Sequence, residues 1–350
     1  MSDIAQQGSP AGTGASPQQP PTGSDHTVGT LGRVGRVFLR QRESTVFVVA
    51  VGLFIYFAVS SSSFVTGTNL PILFTQDSAP YIIIALGEVY LLICGEIDLS
   101  VGFTFALAPF LMYFLNTYDH VPGILAIIIS LLMGLVVGWI NAFLTVTVGL
   151  PSFITTLGTG FVLLGIIDTT SHAEPVSIPA SMTSDVHWLG GNWAPFIAAV
   201  VLTLIMHIVL TRTRWGLHTV SVGGNILGAR EAGIHVNTIK YGNFMLTGLF
   251  GALVGLQNAY VTNSIDPTAG GYQPMFYAVT AAVIGGTAML GGTGTVIGAF
   301  LGAVVIGMLT DGFTILGVSA NPLPIIFGGA ILVAMIANVQ LARLRARGAE

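Results

Sequence analysis

The stretch GEIDLSVG, residues 95–102, lies between the apolar runs PYIIIALGEVYLLIC (80–94) and FTFALAPFLMYFL (103–115). Two carboxylates, Glu96 and Asp98, thus fall at the seam of two segments that are otherwise mainly apolar. On one continuous helix, residues two apart point to quite different sides. A break in the helix accounts for both better than an unbroken one. Asp98 followed by Leu-Ser-Val-Gly reads as a helix start, with Asp98 or Ser100 accepting from amides that the first turn leaves unpaired. The positive end of the macrodipole favours the carboxylate there. Direct contact of Asp98 with a passing solute is the competing reading. Glu96 reads as a juxtamembrane residue facing water.

The solvent around this seam follows from composition. Of 350 residues, 53% are hydrophobic and 7% charged, against roughly 25% charged in soluble domains. Such a chain cannot cover itself with a polar surface. The single cysteine, Cys94, can form no internal disulfide and says nothing of redox compartment. Residues 1–30 are rich in Ser, Gly, Pro, Gln and Thr and read as a disordered cytoplasmic tail. Nothing in them resembles the apolar core of a signal peptide. Residues 31–44 are a basic juxtamembrane segment, and the first apolar run, TVFVVAVGLFIYFAV, starts at Thr45 as a retained span.

A bilayer core about 30 Å thick asks for ~20 mostly apolar residues per helix. Ten runs qualify: 45–62, 70–94, 98–116, 122–147, 151–169, 193–211, 241–262, 275–290, 295–316 and 322–342. Pro71, Asp77 and Pro80 interrupt the second, and glycines crowd the eighth and ninth. The segment 285–298, GGTAMLGGTGTVIG, is too glycine-rich for a regular helix throughout. Broken backbone at membrane depth persists only where protein or a water-filled cavity surrounds it. Gly294, Gly298 and Gly302, like Gly251 and Gly255, repeat at a spacing that lets helix backbones approach, most simply within the chain itself, a subunit contact being the alternative.

All eleven Lys and Arg residues fall in three clusters: Arg33 to Arg42, Arg212 to Lys240, and Arg343 to Arg347. With ten spans an even number of crossings separates each pair, so all can face the cytoplasm. The expected fold is all-α: a polytopic membrane protein of about ten transmembrane helices, some broken, N-in and C-in. The membrane domain is 45–342, with a cytoplasmic loop at 212–240 and a basic cytoplasmic end at 343–350.

An ATPase phosphate loop needs a lysine after its glycines, and the only lysine is Lys240 in NTIKYG. No His/Cys cluster has metal-ligand spacing, and His207 reads as a hydrogen-bonded histidine at a helix end. No nucleophile–base pair or catalytic acid pair is visible, so no catalytic, metal or nucleic-acid site is expected. Glu88, deep in the second run, is a lone carboxylate of the kind that faces a cavity or a partner. Asn258 and Tyr260 can line an uncharged pathway. With no positive charge inside the spans, neutral polyhydroxyl solutes fit better than organic anions. In the 212–240 loop Asn225 is a good N-cap, Ile226 to Ala232 a short helix and Gly233 its stop. With Leu227, Ile234, Arg230 and Glu231 it makes a docking element for a soluble partner, the alternative being a solvated turn.

Several stretches resemble the permease subunits of bacterial ATP-binding-cassette importers of the ribose, xylose and galactose type. They are IDLSVG (97–102), LPSFITTLGT (150–159), the loop RTRWG to AREAGI (212–234) and AVIGGTAMLGGTGTVIGAFLGA (282–303). The resemblance covers roughly 45–340. It implies a bacterial inner-membrane, multi-pass subunit of a homodimer or heterodimer, embedded in lipid. Two ATPase subunits that bind ATP and Mg would lie beneath it and an extracytoplasmic sugar-binding protein above. The helix at 225–233 is similar to a coupling helix. Glu88, Asp98, Ser100, Ser152, Phe153, Thr156, Asn258 and Tyr260 are candidates for the translocation pathway. Gly271-Tyr272-Gln273-Pro274 departs from the Gly-Tyr-Glu-Leu often found before the glycine-rich segment. An ion-gradient-driven transporter using Glu88 or Asp98 is the alternative.

Overall fold

The computed structural model describes residues 42–183, 187–318, 324–329 and 332–333. After α1 (Arg42–Ser60) the second apolar run is segmented. A turn at Asn69–Pro71 and a π-helical turn at Ile72–Gln76 precede α2 (Ala79–Ile93). Then come α3 (Val101–Thr117), α4 (Gly123–Ala142) prolonged by a π-helical turn (Phe143–Thr147), α5 (Ser152–Ser171) and α6 (Ala194–Arg212). Two short helices, α7 (Arg214–Gly224) and α8 (Ile226–Glu231), lead into α9 (Val236–Thr262), α10 (Tyr272–Ile284) and α11 (Val296–Ile315). β1 (Val176–Ser177) and β2 (Ser264–Ile265) pair antiparallel, tying the chain beyond α5 to the chain beyond α9.

Sequence punctuation sets these ends. Pro122 and Pro151 stand just before α4 and α5, where the missing N–H costs nothing. Thr213, Asn225 and Thr295 cap α7, α8 and α11 through their side chains.

The core forms around α2, which is apolar on all sides and buries 13 of its 15 residues. α9 crosses α4 where Gly248 meets the Gly134 carbonyl, a contact that any side chain at Gly248 would block. Farther along α9, Gly255 seats the Phe105 carbonyl of α3, which Pro109, lacking an N–H, leaves free. Gly251, Gly298 and Gly302 likewise lie against the carbonyls of Val101, Gly285 and Ala281, and Gly294 against Ile93, so the glycines singled out in the sequence pack within the chain.

On the outside, α1, α4, α5 and α6 bury only 22% to 33% of their most apolar windows. Their exposed residues include Ile128, Leu132 and Val136 on α4, Phe161 and Val162 on α5, and Leu204 and Ile208 on α6. Apolar faces of this extent suit the bilayer, not water. Among the described residues, seven helical segments are long and apolar enough to cross a membrane. The fold is therefore the expected all-α, polytopic one.

Several boundaries differ from expectation. The third run turns helical at Val101, not at 98, which leaves residues 94–100 without helical structure. The eighth, expected over 275–290, is the 13-residue α10, and residues 285–295 are irregular. Glycine ends it: Gly286 takes φ 96° and Thr287 N–H turns back to Ala282 O at 3.0 Å. Gly271 N–H, just before α10, bonds to Gly102 O at 2.9 Å, and Gly292 N–H, beyond its end, bonds to Ile93 O at 2.8 Å. α9 begins at Val236 and not at 241, and α7 was not expected at all. The run 322–342 lies mostly outside the described residues, as do residues 1–41 and the basic end 343–350.

Candidate functional site

The unwound stretch between α2 and α3 must satisfy its backbone without a helix, and from Asp98 to Ser100 it is buried. It does so with side chains. Ile97 N–H donates to Ser152 Oγ (3.4 Å), Asp98 N–H to Glu88 Oε2 (3.5 Å), Leu99 N–H to Thr156 Oγ1 (3.0 Å) and Ser100 N–H to Asp98 Oδ1 (2.8 Å). Four successive amides land on oxygens from α2, α5 and the stretch itself.

Asp98 is the hub of this arrangement. Its Oδ1 also accepts from Ser100 Oγ (2.6 Å), and Asn141 Nδ2 donates to both its carboxylate oxygens (3.2 Å each) and to Ser100 Oγ (2.7 Å). Glu88, Asp98, Ser100, Asn141 and Thr156 are all 0% exposed. Two oxygens here, Glu88 Oε1 and Asn141 Oδ1, have no hydrogen-bond partner. Asp98 thus takes an amide inside the break, while Ser100, the N-cap residue of α3, makes no side-chain cap bond, and five of the eight candidate residues (Glu88, Asp98, Ser100, Ser152 and Thr156) meet in one network. Asn141, on α4, completes it and was missed. A lone Asn in GWINAFL carries no local signal, because its partners lie 41 to 43 residues away in sequence.

The other three candidates lie apart from this network. Phe153 points outward, 53% exposed. Asn258 and Tyr260 sit near the far end of α9, where Tyr260 packs against a separate apolar cluster with Ala259 and Ile265. Glu96 does not face water freely. Its Oε1 is 2.5 Å from Lys240 Nζ, with both side chains less than 15% exposed, and this is the one salt bridge among the described residues.

The second feature is the link from α7 to α8. Asn225 Oδ1 accepts Gly228 N–H at 2.9 Å, capping α8 as expected. Gly233 stops it in a left-handed conformation (φ 80°), bonding to Arg230 O at 3.0 Å while Ile234 N–H reaches Ala229 O. α8 buries Ala229 alone. Leu227 is 71% exposed and Ile226 40%, while Arg230, Glu231 and Ala232 are also exposed. Ile234 is partly buried, against Cys94, Val222 and Val236.

α7 holds this element to the core through a residue that sequence reasoning missed. Asn243 of α9 accepts from Trp215 Nε1 (2.9 Å) and donates to Tyr90 O (3.3 Å) and Cys94 Sγ (3.3 Å), joining α7 to the end of α2. Among the described residues no three His, Cys, Asp or Glu side chains converge on a metal position.

Residues 70–336 match the family described as "Branched-chain amino acid transport system / permease component". The xylose/arabinose import permease protein XylH of Sulfolobus acidocaldarius is 35% identical over 311 residues, 85% of each chain. The D-allose transport system permease protein AlsC of Escherichia coli is 31% identical over 83% of this chain and 89% of its own. The ribose import permease protein RbsC of the same organism is 30% identical over 79% and 88%. No solved structure is significantly similar. The chain belongs to this permease family and is a multi-pass inner-membrane transport subunit.

Proposed function

We propose that the chain is the membrane-spanning subunit of an ATP-driven importer that moves a neutral monosaccharide or related polyol. The observation that carries this reading is α8: a capped helix with Leu227 and Ile226 exposed beside Arg230 and Glu231. Exposed apolar anchors rimmed by charge suit a protein partner. A separate ATPase, binding ATP and Mg, is the partner that fits a chain with no phosphate loop of its own. The xylose/arabinose, allose and ribose permeases named above support the solute class; Lys240, expected outside the spans, lies within α9 but is paired with Glu96.

In this reading ATP binding closes two ATPase subunits, and the movement enters through residues 225–233. A pair of permease chains, alike or not, then opens outward to receive the solute from an extracytoplasmic binding protein, and hydrolysis resets the inward-facing state. Asp98, Ser100, Glu88, Ser152 and Thr156 hold the broken span that would move. Phe153, Asn258 and Tyr260 remain candidates for solute contact.

The test is reconstitution in liposomes. Uptake of a radiolabelled pentose or hexose is expected only with the ATPase subunits, ATP and the loaded binding protein. Replacing Arg230 and Glu231 together by Ala should abolish stimulation of ATP hydrolysis by the binding protein. Accumulation by the isolated chain under a pH gradient would instead establish an ion-driven transporter and overturn the proposal.

A further inference from the structure

α8 follows α7 after one residue, Asn225, so whatever moves α8 moves the end of α7. Beside Val222, which packs with Cys94 and Ala229, that end also meets the core through its backbone. Gly223 lies against the backbone: a β-carbon there would collide with the Ile93 carbonyl and would come within 2.8 Å of Gly292 N. Gly292 N–H donates to the same Ile93 carbonyl at 2.8 Å. A β-carbon at Gly291 would sit 3.1 Å from Ile93 O, 3.2 Å from Gly223 O and 3.3 Å from Gly95 N. Three backbones therefore meet at one point: the end of α7, the end of α2 where the unwound stretch begins, and the irregular segment between α10 and α11. Lys240, early in α9, grips the same stretch through Glu96.

Side chains would give such a contact slack, because rotamers can absorb a shift. Backbone against backbone has no such freedom, so displacement is passed on and not absorbed. We propose that the contact of Gly223 with Ile93 and Gly292 is the point at which movement of α8 reaches both unwound segments. Gly223 is then a positioning residue for transport. This inference rests on the coupling role proposed for α8 and names the route inward from it.

The test uses the full complex in liposomes and reads two quantities: ATP hydrolysed and solute taken up per ATP. Gly224→Ala is the control, since a β-carbon at Gly224 meets nothing within 4 Å. Gly223→Ala should lower uptake per ATP at least tenfold while the subunits still co-purify, and Gly224→Ala should match the parent. Parental uptake per ATP in Gly223→Ala, including the case in which hydrolysis and uptake fall in proportion, overturns the inference. Should Gly223→Ala fail to assemble, Lys240→Met decides, because it releases the unwound stretch without adding an atom at the contact. It should lower uptake per ATP about threefold or more, and an unchanged ratio overturns the inference. A parent complex that takes up solute without ATP, or hydrolysis insensitive to changes in α8, would instead remove the reading under Proposed function.

Discussion

At the residue scale, the question is what two buried carboxylates are for. Asp98 has donors for both its oxygens, whereas Glu88 receives only the long bond from Asp98 N–H. A charged group in a dry interior needs partners, and Glu88 has a neighbouring acid instead. Glu88→Gln keeps the shape and the acceptor for Asp98 N–H and removes a like charge. Its thermal midpoint in detergent should match or exceed the parent's. Glu88→Ala opens a cavity and strands that amide, and should cost about 2–4 kcal/mol. Equal midpoints for the two variants would show that the contact matters little. At Asn141, the amide is a donor between Asp98 and Ser100. Asn141→Asp turns it into a third carboxylate in the same network, a cost of about 3–5 kcal/mol. Folded yield of Asn141→Asp should fall far below that of Asn141→Ala. A break at GEIDLSVG was legible because a carboxylate in an apolar run has few stable places, and a helix start is one. The identity of its donors was not, since α4 and α5 supply them across a separation visible only once the helices pack.

At the element scale, α8 is the clearest case of local information deciding structure. Asn225, Gly228 and Gly233 act within nine residues, so capping rules find the helix without tertiary context. α7 and α10 were missed or misjudged because their reasons are not local. α7 is held by Asn243 and Trp215, and the segments that flank α10 are held by Gly102 and Ile93. The consequences can be tested separately. Asn225→Ala removes a cap worth about 0.5–2 kcal/mol. If the ATPase docks on folded α8, its dissociation constant should rise about twofold to thirtyfold, by the conversion of 1.4 kcal/mol per tenfold. Titration of the detergent-solubilised permease with fluorescent ATPase subunit reads this. Leu227→Ser should weaken the same titration by loss of apolar contact, with the thermal midpoint unchanged because Leu227 packs outward. A drop in midpoint with unchanged affinity would place Leu227 against the permease itself.

At the scale of the whole molecule, the inner and outer sides follow from where charge and caps fall. Arg212, Arg214, Arg230 and Lys240 all lie between α6 and the early part of α9, the side that the positive-inside rule assigns to the cytoplasm. One crossing, α6, then separates that side from the stretch after α5, where Glu174 is exposed. The apolar outer faces of α4, α5 and α6 fit this arrangement, because each must meet lipid along its length. Cys94, the only cysteine, is buried and leaves the background to surface labelling low. A single cysteine at Glu174 should react with a membrane-impermeant maleimide added to intact cells. One at Leu227, exposed on α8, should react only after the membrane is opened. Labelling of both from the same side would mean that α6 does not cross the bilayer. The lever would then lie on the face where the solute arrives, leaving a nucleotide-driven partner nowhere to act.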